Sequence, residues 1–109
     1  MFSEELINIL SDKIQTNVNP DKIILFGSYA TGLQHEASDI DLFIVKDVKK
    51  EKVRDLKLSI KKAIRNIVLK NKIDVDILLD SQKRINQRIR MGDLFLKEII
   101  EKGKIIYAK

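Results

Sequence analysis

The sequence predicts an α/β (α+β) fold, a small mixed β-sheet with helices packed on one face. Three observations predict it. Apolar runs of strand length recur at residues 22–26, 40–45 and 73–79. Stretches of helical periodicity separate them. The resulting order, αβ(α)βαβα, alternates strands with helices as layered folds do. At 109 residues the chain is expected to form one domain, spanning 1–109.

The elements follow in order. Leu6, Ile7, Leu10 and Ile14 recur at helical spacing behind Ser3, a suitable N-cap, so a helix is expected to about Thr16. Asn17 to Asp21, with Pro20, breaks it. Lys22 to Phe26 is the first strand. Gly27 to Thr31 is expected to make one or two helical turns closed by Gly32, and 33–38 a polar loop. Ile40 to Val45 is the second strand. Val53, Leu56, Ile60, Ala63, Ile64, Ile67 and Val68 mark a long amphipathic helix over about 50–70. The third strand covers 73–79. Asp80-Ser81 caps a helix with Ile85 and Ile89 inward, Met91-Gly92-Asp93 interrupts it, and residues 94–101 form a last short helix before Gly103. Ile105-Ile106-Tyr107 is either a short strand or a packing segment.

Composition narrows the function. The chain contains no cysteine, which excludes a disulfide framework, a thiolate zinc site and a cysteine nucleophile, and makes a cytoplasmic setting the default. No run approaches the ~20 apolar residues of a membrane span, and the N-terminus lacks the basic start of a signal peptide. The net charge of +5 is unevenly spread. Residues 1–45 hold two Lys or Arg against seven Asp or Glu, whereas 46–109 hold nineteen against nine. The basic half suits a polyanion or an acidic protein surface. Few aromatics accompany it, so nucleic acid is not the favoured partner.

The chemistry concentrates in two segments. Asp39 and Asp41 stand two apart in an apolar strand, so both side chains are expected on one face. Fixed side by side, two carboxylates repel unless a cation lies between them, and oxygen ligands suit Mg²⁺ better than zinc. Gly27-Ser28 ends the preceding strand and opens a helical turn whose N–H groups would hold a phosphate. The third strand carries Asp74 and Asp76, again on alternate positions. Acids in an otherwise Ile, Val and Leu strand need a partner or a metal.

With these motifs the chain resembles the DNA polymerase β-like nucleotidyltransferase superfamily, and within it the minimal nucleotidyltransferases of bacteria and archaea. Gly27-Ser28-Tyr29-Ala30-Thr31-Gly32, Ser38-Asp39-Ile40-Asp41-Leu42 and the ending Gly103-Lys104-Ile105-Ile106-Tyr107 carry the resemblance over nearly the whole chain. It implies a polymerase β palm-like nucleotidyltransferase fold. It implies two Mg²⁺ ions on Asp39, Asp41 and Asp76, which are also the catalytic residues, and a nucleoside triphosphate, ATP, held by Gly27, Ser28 and Ser38. The family's third acid sits five residues before a helix-capping Ser or Thr, which selects Asp76 over Asp74. Arg is common in the family where Thr31 stands.

The reaction implied is transfer of AMP to a hydroxyl. No stretch of the sequence looks like a separate acceptor-binding lobe, so the acceptor site is expected from a second chain. By resemblance that chain is a helical HEPN-domain toxin neutralised by this protein as antitoxin; a homo-oligomer is the alternative. Transfer to a small molecule such as an aminoglycoside, or to RNA, is a second reading, and contact neutralisation without catalysis a third. His35, Arg65, Arg84, Arg88 and Arg90 read as solvated positions, and Tyr29 as a packing residue.

Overall fold

The computed structural model describes residues 3–32 and 39–109. In chain order they form α1 (Ser3–Val18), β1 (Lys22–Phe26), α2 (Ser28–Thr31), β2 (Ile40–Val45), a 3₁₀ turn (Lys50–Lys52), α3 (Val53–Asn71), β3 (Val75–Asp80), α4 (Gln82–Arg90), α5 (Leu94–Lys102) and β4 (Lys104–Ala108). The fold class is the expected one, a mixed four-stranded sheet with helices. The C-terminal segment resolves as a strand, β4. The third strand starts two residues later than its apolar run suggests. α3 persists to Asn71, and Lys72 ends it in the left-handed region with φ 52°. The Ile73 amide then bonds back to the Val68 carbonyl at 3.3 Å, so Ile73 and Asp74 belong to the connection.

The strand order is β3-β2-β1-β4. β1 runs antiparallel to both β2 and β4, and β2 pairs parallel with β3. Parallel neighbours need a crossover of a dozen residues or more, and α3 supplies it. Strand alternation then sorts the side chains. Ile40, Leu42 and Ile44 of β2 pack with Ile23, Leu25, Ile77 and Leu79 against α1 and α3. Leu6, Leu10, Ile14 and Val18, four residues apart, are the buried stripe of α1, and Ile60 and Ile64 that of α3.

The opposite face is covered as well. Ile24, Phe43 and Val45 meet Ile85 of α4 and Leu96 and Ile99 of α5. Packing on one face thus describes α1 and α3, and a second, smaller layer is added by α4 and α5. Their starts are capped as the sequence indicates: Ser81 Oγ accepts from the Arg84 amide at 3.2 Å, and Asp93 accepts from the Leu96 amide at 2.9 Å. No helix among the described residues is long and apolar enough to cross a membrane.

Candidate active site

The site begins where β1 ends. Phe26 pairs with Asp41 of β2, and the chain then turns at Gly27 with φ 74° and ψ −154°. That region of backbone space is essentially open to glycine alone. Space makes the same demand, because a Cβ on Gly27 would collide with Oδ2 of Asp41. The backbone therefore passes directly over that carboxylate. Half-buried Ser28 opens α2, whose amides at Ala30 and Thr31 bond back to the Gly27 carbonyl at 3.1 and 3.3 Å. Thr31 Oγ1 donates to the Ser28 carbonyl at 3.3 Å, so this hydroxyl serves the turn itself. Tyr29 packs against the α1–α3 core, as its reading as a packing residue expects.

Parallel pairing of β2 with β3 sets Asp41 beside Asp76. Both project from the face that carries Phe43 and Leu78. Asp41 is half-buried and Asp76 exposed. The Asp41 carboxyl is pushed up to about 6, first by burial, then by the hydrogen bond its protonated form donates to Asp76 and by repulsion from the Asp76 charge, and last by the charge of Asp39. Asp39 precedes β2 and is exposed, so the two acids of the Asp-x-Asp pair are not equivalent. Among the described residues no three acidic or histidine side chains converge into a complete cation cage. The structure brings Asp41 and Asp76 together, and Asp39 reaches them through its charge. Asp74 lies outside β3, where its carbonyl accepts from the Ile40 amide at 3.0 Å. Ser38, His35 and the side chain of Ser3 lie outside the described residues.

A third acid on this face of the sheet behaves differently. Asp80 accepts from Nε of Arg84, and Arg88 stands 4.0 Å away. Among the described residues no Lys or Arg lies within ion-pair distance of Asp41 or Asp76. The face thus holds one neutralised carboxylate and one unneutralised pair. The sequence reading of Arg84 as a solvated residue is corrected here: it is half-buried, bound to Asp80 and to the Val48 carbonyl. The four-residue spacing of Asp80 and Arg84 on the approach to α4 was the available signal. An all-oxygen pair under mutual repulsion suits a divalent cation, which would take the place of the shared proton.

The model of the nucleotidyltransferase domain family matches residues 3–107. The chain belongs to the nucleotidyltransferase domain family. As such it is an enzyme of the nucleotidyltransferase class. This nucleotidyltransferase is 34% identical over 104 residues to Putative protein adenylyltransferase MJ0604 of Methanocaldococcus jannaschii, covering 95% of this chain and 93% of that one. A second protein of that organism, named in the same way, is 37% identical over 71 residues, which span 62% of this chain and 66% of the other. The fold is that of a crystal structure of a putative nucleotidyltransferase from Sulfolobus solfataricus, with TM-score 0.64 at 18% identity over 96% of this chain and 79% of that one. It is also that of a toxin–antitoxin crystal structure with AMP-PNP, with TM-score 0.59 at 22% identity over 99% of this chain and 75% of that one.

Proposed function

We propose that this nucleotidyltransferase is a Mg²⁺-dependent adenylyltransferase that moves AMP from ATP to a hydroxyl on a partner protein. The observation that carries the reading is the unneutralised Asp41–Asp76 pair beneath the Gly27 backbone. The name of the relative that is 34% identical supports a protein acceptor. On the resemblance to minimal nucleotidyltransferases, that acceptor is a tyrosine hydroxyl of a HEPN-domain toxin, and the chain acts as its antitoxin in the cytoplasm.

Asp41, Asp76 and Asp39 would hold the two Mg²⁺ ions, which supply charge neutralisation at the α-phosphate and at the leaving pyrophosphate. Gly27 lets the triphosphate approach the backbone, and the Ser28 hydroxyl, with that of Ser38, donates to its oxygens. The acceptor oxygen attacks the α-phosphorus, and the bond from that phosphorus to the bridging oxygen of pyrophosphate breaks. Exposed Asp76 takes the proton the hydroxyl loses, while half-buried Asp41 holds its place through the sheet. Most of the acceleration is then positioning and electrostatics.

The test is incubation with α-labelled ATP and Mg²⁺, with and without the protein encoded by the adjacent gene. Label on that protein, lost when Mg²⁺ is chelated, is the expected result. Label only on an added aminoglycoside or RNA would replace the acceptor class. Absence of label on all of them would overturn the catalytic reading.

A further inference from the structure

The described surface carries a groove of about 870 Å³ that the proposed chemistry does not use. It runs between α3 and the α4–α5 pair, across the outer edge of β3. Its floor is apolar, made by Phe43, Leu78 and Leu96. Apolar side chains also form its lip: Leu58 is 46% exposed, Phe95 56% and Met91 86%. A cluster of this kind on a soluble surface marks an interaction site more often than chance decoration.

One wall is strongly cationic. Lys50, Arg54, Lys57 and Lys61 follow one another at steps of four, three and four, so they form a single stripe along α3 and its leading turn. None is within ion-pair distance of an acid among the described residues. The opposite wall differs, because Arg84 is engaged by Asp80 and Arg88 by Asp93 at 2.9 Å. Among the described residues Asp80 is the one acid that lines the groove, and it is already neutralised. The free charge facing the groove is therefore positive.

The groove also adjoins the carboxylates. Leu78 in its floor is the next residue after Asp76 on the same face of β3, about 7 Å along the strand. A chain lying there would bring a hydroxyl one or two residues from its anchor up to Asp76. β3 is an edge strand of the described sheet, so approach from that side crosses no further strand.

We propose that this groove docks an acidic segment of the acceptor protein through an apolar anchor. The inference rests on the adenylyltransferase reading for what is done to the segment, and on the groove alone for what is bound. Acidic side chains meet the α3 stripe, and a large apolar residue fills the space above Leu78 and beside Phe95. A nucleic acid fits less well, because an apolar floor offers little to a sugar–phosphate backbone.

The experiment uses a short fluorescent peptide rich in Glu, with Leu, Phe and one Tyr, and a companion in which Lys replaces Glu. Anisotropy is measured at low and high salt, with Mg·ATP binding followed by calorimetry on the same proteins. The expected result is binding of the acidic peptide that weakens with salt and is lost about tenfold in the Arg54→Glu, Lys57→Glu, Lys61→Glu variant. A Phe95→Ser variant, which leaves charge unchanged, loses affinity as well. Reversal at exposed Lys13, Lys70 and Lys109, which do not line the groove, changes the net charge equally and leaves peptide affinity unchanged. Equal loss in both charge-reversal variants overturns the proposal, as does no preference of the wild type for the acidic peptide. Tighter binding of single-stranded oligoadenylate that is lost in the groove variant would make the surface a nucleic-acid site and also overturn it. Loss of Mg·ATP together with the peptide would place the nucleotide there instead. Peptide failure with Mg·ATP binding intact strikes the groove alone, whereas failure of the wild type to bind Mg·ATP strikes the catalytic reading.

Discussion

Asp41 and Asp76 face each other across the parallel seam between β2 and β3, and no cation among the described residues stands near enough to separate their charges. The fold keeps the pair at that level through the registers Leu42–Ile77 and Ile44–Leu79, whose side chains are in the α1–α3 core. A buried apolar register thus fixes the position of two polar groups on the other face.

The first prediction concerns that pair. Asp41→Asn and Asp76→Asn should each lower AMP transfer by at least about 10²-fold while keeping the fold. In the absence of Mg²⁺, Asp41→Asn should melt no lower than the wild type, since it removes a repelled charge. Labelled transfer and thermal unfolding check the two halves. Undiminished transfer by the double variant would refute the site assignment.

Asp74 separates from Asp76 by its position. It lies in the connection before β3, so its replacement by Asn should cost no more than about 10-fold in rate. Single-turnover rates of Asp74→Asn and Asp76→Asn under saturating Mg²⁺ decide the order. Greater damage at Asp74 would shift the third carboxylate by two residues.

The Asp41 carboxyl makes stability pH-dependent. Its ordinary value is 3.8, and in the folded chain it is raised to about 6. Below 3.8 both folded and unfolded forms carry the proton, and the full stability is present. Between these values the unfolded chain releases the proton first, so the contribution is lost as pH rises and is gone above about 6. Urea unfolding at several pH values without divalent ions should show this decline in the wild type and lack it in Asp41→Asn. Parallel profiles for the two proteins would contradict the assignment.

Gly27 should tolerate no side chain. Gly27→Ala meets both a left-handed backbone and the Asp41 carboxylate, so it should destabilise by about 1–3 kcal/mol and displace the acid it touches. A loss of transfer beyond the loss of folded protein, measured with unfolding and active-fraction corrections, is the expected outcome. A fully active, equally stable Gly27→Ala protein would show that the turn has another conformation.

Ser81 provides a stability test away from the chemistry. It caps α4 and is buried, so Ser81→Ala should cost about 1 kcal/mol. Denaturant midpoints at constant slope give the value.

Much of this was legible in the sequence because apolar strands and amphipathic stripes have different periods. β1 and β2 coincide with their apolar runs. The beginning of β3 was less legible, since nothing in Ile73-Asp74 reveals that Lys72 adopts the left-handed cap. The second layer was hidden because α4 offers only Ile85 and Ile89 as inward residues, a stripe too short to say which face it covers. Asp39, Asp41 and Asp76 were visible as candidates. That Asp41 lies opposite Asp76 was not, because the register of parallel strands is set by packing between distant segments.

Arg84 joins α4 to the loop before α3 through the Val48 carbonyl while it neutralises Asp80. The α4 bank of the groove is thus tied to the segment that leads into α3. Exposed residues on the α3 bank belong neither to that fastening nor to the sheet that carries the acids. With the acceptor docked in the groove as proposed, substitutions along one bank would redirect recognition while the Asp41–Asp76 pair and its sheet stay as they are.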